Sequence, residues 1–113
     1  MLTISKSLFP AVVTENGQLT YTFVIENTGN TPAVATDNIV VTDVFGPILD
    51  PIAVTFNGTP WTEGVNYTYN AATGEFATIA GEITVPAATY TQNSDGTWTI
   101  TPGVSTLTVT GTV

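Results

Sequence analysis

Apolar residues recur at every second position along much of this chain. Leu2, Ile4 and Leu8 alternate with Thr3, Ser5 and Ser7, and Leu19, Tyr21, Phe23 and Ile25 alternate with Thr20, Thr22, Val24 and Glu26. A period of two sets such residues on one face of a β-strand. Thr, Val, Ile, Tyr and Phe dominate these stretches, as strands favour, and no stretch carries a helical period. The pattern predicts strands at Leu2–Leu8, Leu19–Glu26, Asn38–Phe45, Ile52–Phe56, Val65–Tyr69, Glu75–Ile79, Ile83–Gln92, Thr97–Ile100 and Leu107–Val113. Phe9-Pro10 should break the first, with Val12-Val13 continuing on the other sheet. Pro86 should make Ile83–Gln92 an edge or a bulge. Glu15-Asn16-Gly17, Thr28 to Pro32, Asn57-Gly58, Asn70 to Gly74 and Asn93 to Gly96 read as turns. The fold class is therefore all-β, an antiparallel sandwich of about seven to nine strands. A barrel fits less well, because strand lengths vary and prolines interrupt the edges. Residues 1–113 form one domain with no internal repeat, and its termini are expected at opposite ends of the sandwich.

Three polar residues break their own apolar stripes. Lys6 falls in phase with Leu2, Ile4 and Leu8; Asn27 follows Ile25; Asp43 follows Ile39 and Val41. Lys6 is the only cation of the chain, which has no arginine or histidine. A lysine turned toward a core needs a partner. A turn near Glu15–Gly17 would place Lys6 opposite Ile25 or Glu26, close to Asn27; a first strand in the other sheet would instead reach Asn27 or Asp43 across the core. Two readings follow, beside that of an exposed Lys6 on a frayed terminal strand. In one, Lys6 and Asp43 form an ion pair with Asn27 nearby or capping a turn. In the other, desolvation keeps the lysine amine neutral and Asp43 protonated, and the amine attacks the Asn27 side-chain amide. Asp43 then acts as the catalyst that polarises the carbonyl and shuttles protons, and the products are a Lys6–Asn27 isopeptide bond and ammonia.

Composition narrows the partners. Charged residues make up only 9% of the chain, and the net charge is −8. One cation on an acidic chain speaks against nucleic acid and anionic membrane surfaces. There are no cysteines, no signal-peptide pattern at the N-terminus and no apolar run of membrane-spanning length. An export signal, if one exists, would belong to a longer parent. Without His or Cys there is no usual nucleophile–base pair and no usual zinc site. The acids are scattered singly, which suits solvated surface charge rather than a carboxylate-pair glycosidase. Enzymatic action on an external substrate is not expected, and neither a cofactor nor a metal is called for. Trp61 and Trp98, with Tyr67, Tyr69 and Tyr90, could form a glycan-stacking platform, against the plainer reading of aromatic packing. Calcium binding has only the weak loop Asn93-Ser94-Asp95-Gly96 behind it. Unprotected Val-rich edges could also support self-association.

Several segments together resemble the conserved tandem repeat domain of bacterial surface proteins. Ile4-Ser5-Lys6-Ser7, Leu19 through Asn30 and Ile39-Val40-Val41-Thr42-Asp43 carry the pattern of its first half. Asn57-Gly58-Thr59-Pro60-Trp61, Tyr67-Thr68-Tyr69-Asn70, Ile83 through Ala87 and Leu107 through Val113 are similar to the variant in long clostridial-type surface proteins. The resemblance spans essentially the whole chain and rests on order and spacing. It implies an immunoglobulin-like sandwich serving as a stalk repeat of an extracellular or cell-wall-attached protein, with neighbouring repeats as partners. Lys6, Asn27 and Asp43 fall within the family's pattern. The isopeptide domains of collagen adhesins are a looser analogy. Their acceptor Asn usually lies on a late strand, and Leu107–Val113 contains none.

Overall fold

A computed structural model describes residues 2–9, 17–46 and 48–113. Among these residues the fold is an antiparallel β-sandwich with ten strands. They are β1 (Leu2–Phe9), β2 (Gln18–Asn27), β3 (Thr42–Val44), β4 (Ile52–Phe56), β5 (Thr59–Pro60), β6 (Tyr67–Asn70), β7 (Glu75–Thr78), β8 (Thr89–Gln92), β9 (Trp98–Thr101) and β10 (Gly103–Thr112). One sheet has the order β1-β2-β10-β4-β5, a second β3-β7-β6, and β8-β9 form a separate two-stranded ribbon.

Most of the expected strands are present, with altered ends. Asn38–Phe45 is shortened to Thr42–Val44, because Ala35–Asp37 forms a single 3-10 turn and Asn38 adopts a left-handed conformation. The inward phase of that segment still holds, with Val41 and Phe45 buried. Ile83–Gln92 is not one strand. Ile83 and Val85 enter the core beside a lone bridge from Val85 to Ala33, and the ladder resumes only at Thr89, beyond Pro86. The two-residue β5 has no signal in the pattern. It ends on Pro60 at the outer edge of its sheet, where a missing N–H costs nothing. The Phe9-Pro10 break, the Val12-Val13 continuation and the Glu15-Asn16-Gly17 turn lie wholly or partly outside the described residues.

The core forms where the two larger sheets face each other. Leu19, Tyr21, Phe23 and Ile25 of β2, Val54 and Phe56 of β4, and Leu107 and Val109 of β10 come from the first sheet. Tyr67 and Phe76 come from the second, joined by Val41, Phe45, Leu49, Ile83 and Val85 from the connections. Tyr21 stacks on Phe45 at 4.6 Å between centroids, and Phe45 meets Phe76 at 5.5 Å, so an aromatic column links the layers. The central strand β10 carries glycine at both ends of its inner face. A Cβ at Gly103 would lie 1.8 Å from the Pro86 carbonyl oxygen, and one at Gly111 would lie 2.6 Å from the Leu49 Cβ. Glycine is what lets the neighbouring connections close so tightly over the strand ends.

Strand direction sets the poles of the molecule. β2 runs antiparallel to both β1 and β10, so β1 and β10 run the same way on either side of it. Leu2 and Gly103 both pair with Asn27 at one pole. Thr112 pairs with Gln18, and Val113 donates its N–H to Gly17, at the other. The molecule is 55 Å long, and its radius of gyration of 16.3 Å exceeds the roughly 13 Å of a compact domain of this size. The ribbon is rooted at the Leu2 pole, where Ala88 donates its N–H to the Gly29 carbonyl and Tyr90 its hydroxyl to that of Thr28.

Candidate functional site

Two places in this frame hold the residues singled out by the sequence. The first is the open side of the sandwich, between the edge strand β1 and the segment leading into β3. Lys6 lies on β1 opposite Phe23, in the inward phase. Its Nζ donates to the Asp43 Oδ2 at 2.8 Å and lies 5.3 Å from the centroid of the Tyr21 ring. The other carboxylate oxygen of Asp43 accepts the Val44 N–H at 2.9 Å, which holds the group in place. The pair thus connects the two sheets at their rim and caps the aromatic column. It is partly wet, with the Lys6 side chain 43% and the Asp43 side chain 20% exposed. Burial pushes the Tyr21 phenol above its usual 10.0, with Asp43 adding to the rise while Lys6 and a backbone hydrogen bond at Gly46 oppose it.

Asn27 is not part of this pair. The register sets Asn27 opposite Leu2, whereas Lys6 is opposite Phe23 rather than Ile25 or Glu26. Four residues of strand separate the two positions along the ladder, about 13 Å. Asn27 is buried, 3% exposed, and its side chain organises the next loop. Its Nδ2 donates to the Thr31 carbonyl, and its Oδ1 accepts the Gly29 N–H. This is the local turn chemistry that Asn supplies at strand ends. Lys6 and Asp43 are therefore brought together, and Asn27 lies away from them.

The second place is the β8–β9 ribbon. All eight of its residues are exposed. Register pairs Tyr90 with Ile100 and Gln92 with Trp98, and it pairs Thr89 with Thr101 and Thr91 with Thr99. With a period of two, one face carries Tyr90, Gln92, Trp98 and Ile100, and the other carries four threonines. Trp61 does not share this face. It is half-buried and stacks on Phe56 at 4.9 Å, beside the core. Tyr67 is buried against Phe76. Tyr69 packs on the core and ties its hydroxyl to the Leu49 backbone, accepting from the N–H and donating to the carbonyl. Only Trp98 and Tyr90 of the five aromatics form an exposed pair. The alternation of Thr89, Thr91, Thr99 and Thr101 with bulky residues was the signal in the sequence that could have isolated this face.

Asp95, in the ribbon turn, accepts the N–H and hydroxyl of Thr97, and these bonds hold its carboxyl below the usual range. Among the described residues no three acidic side chains cluster as metal ligands would, and no helix is long and apolar enough to cross a membrane. No family model, curated protein or solved structure matches the chain.

Proposed function

We propose that the domain is a structural spacer, one bead of a stalk repeat in a secreted or cell-wall-attached bacterial surface protein, linked to neighbouring repeats at its two poles. The observation that carries this reading is the placement of Leu2 and Val113 at opposite poles, with β1 and β10 parallel on either side of β2. Tension applied through the two ends then runs along the strands. The eight residue pairs of β1–β2 and the ten of β2–β10 are loaded in shear, together, rather than opened one after another. The Lys6–Asp43 pair adds a tie from the loaded edge strand to the opposite sheet. The resemblance of Leu19 through Asn30 and of Ile39 through Asp43 to bacterial surface repeats points the same way, as does a net charge of −8 that keeps beads apart. On this reading the domain acts on no external substrate.

Small-angle scattering from two copies joined in tandem tests it. An extended stalk gives a maximum dimension of about 110 Å, twice the 55 Å long axis of one domain. Two copies folded back side by side, with a maximum dimension close to that of one copy, would rule it out.

A further inference from the structure

We propose that the Tyr90, Gln92, Trp98 and Ile100 face of the β8–β9 ribbon binds a neutral oligosaccharide built from all-equatorial pyranose rings. A two-stranded ribbon is marginal in water without a layer to cover it. This one nevertheless holds its bulky face outward, with Trp98 61%, Ile100 52% and Tyr90 41% exposed. Tyr90 is anchored by its hydroxyl to the Thr28 carbonyl, so that end of the face is held to the body of the domain. Asn30, from the loop after β2, closes one side of an open groove of about 480 Å³ lined by Tyr90, Trp98 and Ile100.

Charge, area and polarity together select the occupant. The face bears no charge on a chain of net charge −8, and the nearby Asp95 carboxylate is committed to Thr97. A charged ligand would find no counter-charge there. The three bulky side chains expose roughly 300 Å² between them. A stable protein partner needs about 800 Å² on each side, so this face is too small to hold one by itself. A purely apolar ligand would offer no partner to the Asn30 amide that lines the groove, nor to Gln92, which the register sets opposite Trp98. A pyranose with equatorial hydroxyls satisfies all three conditions. Its axial C–H bonds present an apolar face to the negative π-face of Trp98. Its rim hydroxyls can meet the Asn30 amide, which both donates and accepts.

The test uses the 113-residue chain titrated with cellotetraose and with the tetramer of N-acetylglucosamine, followed by tryptophan emission and by the two indole N–H resonances. The expected result is a saturable, millimolar response of the Trp98 resonance to at least one sugar, with Trp61 unmoved. Trp98→Ala should weaken binding by about tenfold or more, and Gln92→Ala by a smaller factor. Since Trp98 lies outside the core, loss of binding in its variant is not loss of fold, and an unchanged thermal melt verifies this. Trp61→Phe should bind as the parent does. Absence of a saturable response to either sugar overturns the proposal, as does a response that survives Trp98→Ala. A Trp98 resonance that shifts with protein concentration, and not with sugar, would assign the face to a second copy instead. None of these outcomes alters the scattering result, so the spacer reading stands or falls separately.

Discussion

Lys6→Met isolates the charge at the rim of the sandwich, because methionine keeps an apolar stem over Tyr21 and loses only the ammonium. The ion pair at 2.8 Å would be worth about 1.5 kcal/mol at the dielectric of water, before ordering of the two side chains is subtracted. Exposure of 43% and 20% places it with wet surface pairs, worth about 0.5–1 kcal/mol. The ammonium over Tyr21 adds about 0.5 kcal/mol at such a site. Lys6→Met should therefore destabilise by about 1 kcal/mol, near 4 °C in Tm for a chain of this length. Asp43 then remains hydrated and bonded to the Val44 N–H, so no buried charge is orphaned. The assay is a double-mutant cycle of Lys6→Met and Asp43→Asn in urea, at low and high salt, with intact mass measured on each protein. A coupling of about 0.5 kcal/mol that shrinks in salt agrees with the geometry. A coupling above about 3 kcal/mol would mean a dry or covalent link. So would a mass deficit of about 17 Da, the ammonia lost in an Asn27 cross-link. The large coupling would refute the wet surface pair, and the mass deficit would refute the ionic assignment itself.

The remaining predictions concern the edge, the central strand and pH. Lys6 is also an inward-pointing charge on an open edge strand, a device that blocks sheet-to-sheet pairing between molecules. Lys6→Val should raise self-association in sedimentation equilibrium while Lys6→Arg stays monomeric; equal monomers would remove this role. Gly103→Ala forces a Cβ onto the Pro86 backbone and should cost about 3 kcal/mol or more, whereas Gly46→Ala, with open space around it, should cost far less. Urea melts of the two variants check the contrast. Burial raises the Tyr21, Tyr67 and Tyr69 phenols above 10.0, so the folded chain keeps protons that the unfolded chain releases. Stability is then complete below about pH 10 and falls as pH rises toward the folded values, and chemical denaturation across pH 8 to 12 should trace that decline.

Much of the frame was legible because strand phase is local. Leu19 through Asn27 alternate as the pattern requires, and Val41, Asp43 and Phe45 keep one phase even where the ladder is interrupted. Phase alone told that Lys6 and Asp43 face the same space. Register is not local. It depends on the connection between β1 and β2, and a shift of two or three residues moves Lys6 from the neighbourhood of Asn27 to Phe23. Asn27 followed the apolar stripe for another reason: a buried turn amide occupies the same phase as a core side chain. The ribbon was hidden by Pro86, which splits an apparently continuous strand into a core segment and an exposed one. Trp98 alternates with threonines in the sequence whereas Trp61 follows Pro60, but only the fold shows that Trp61 stacks on Phe56 while Trp98 stays exposed.

Single-molecule force spectroscopy compares two pulling directions on the same domain and tests the load-bearing role most directly. Pulled through residues 2 and 113, the β1–β2 and β2–β10 ladders bear load in shear, and the domain should unfold at a markedly higher force. Pulled through residues 9 and 18, the β1–β2 ladder opens from one end and should yield at a low force. Equal forces in the two directions, or a weaker end-to-end direction, would contradict a spacer that carries tension between its poles.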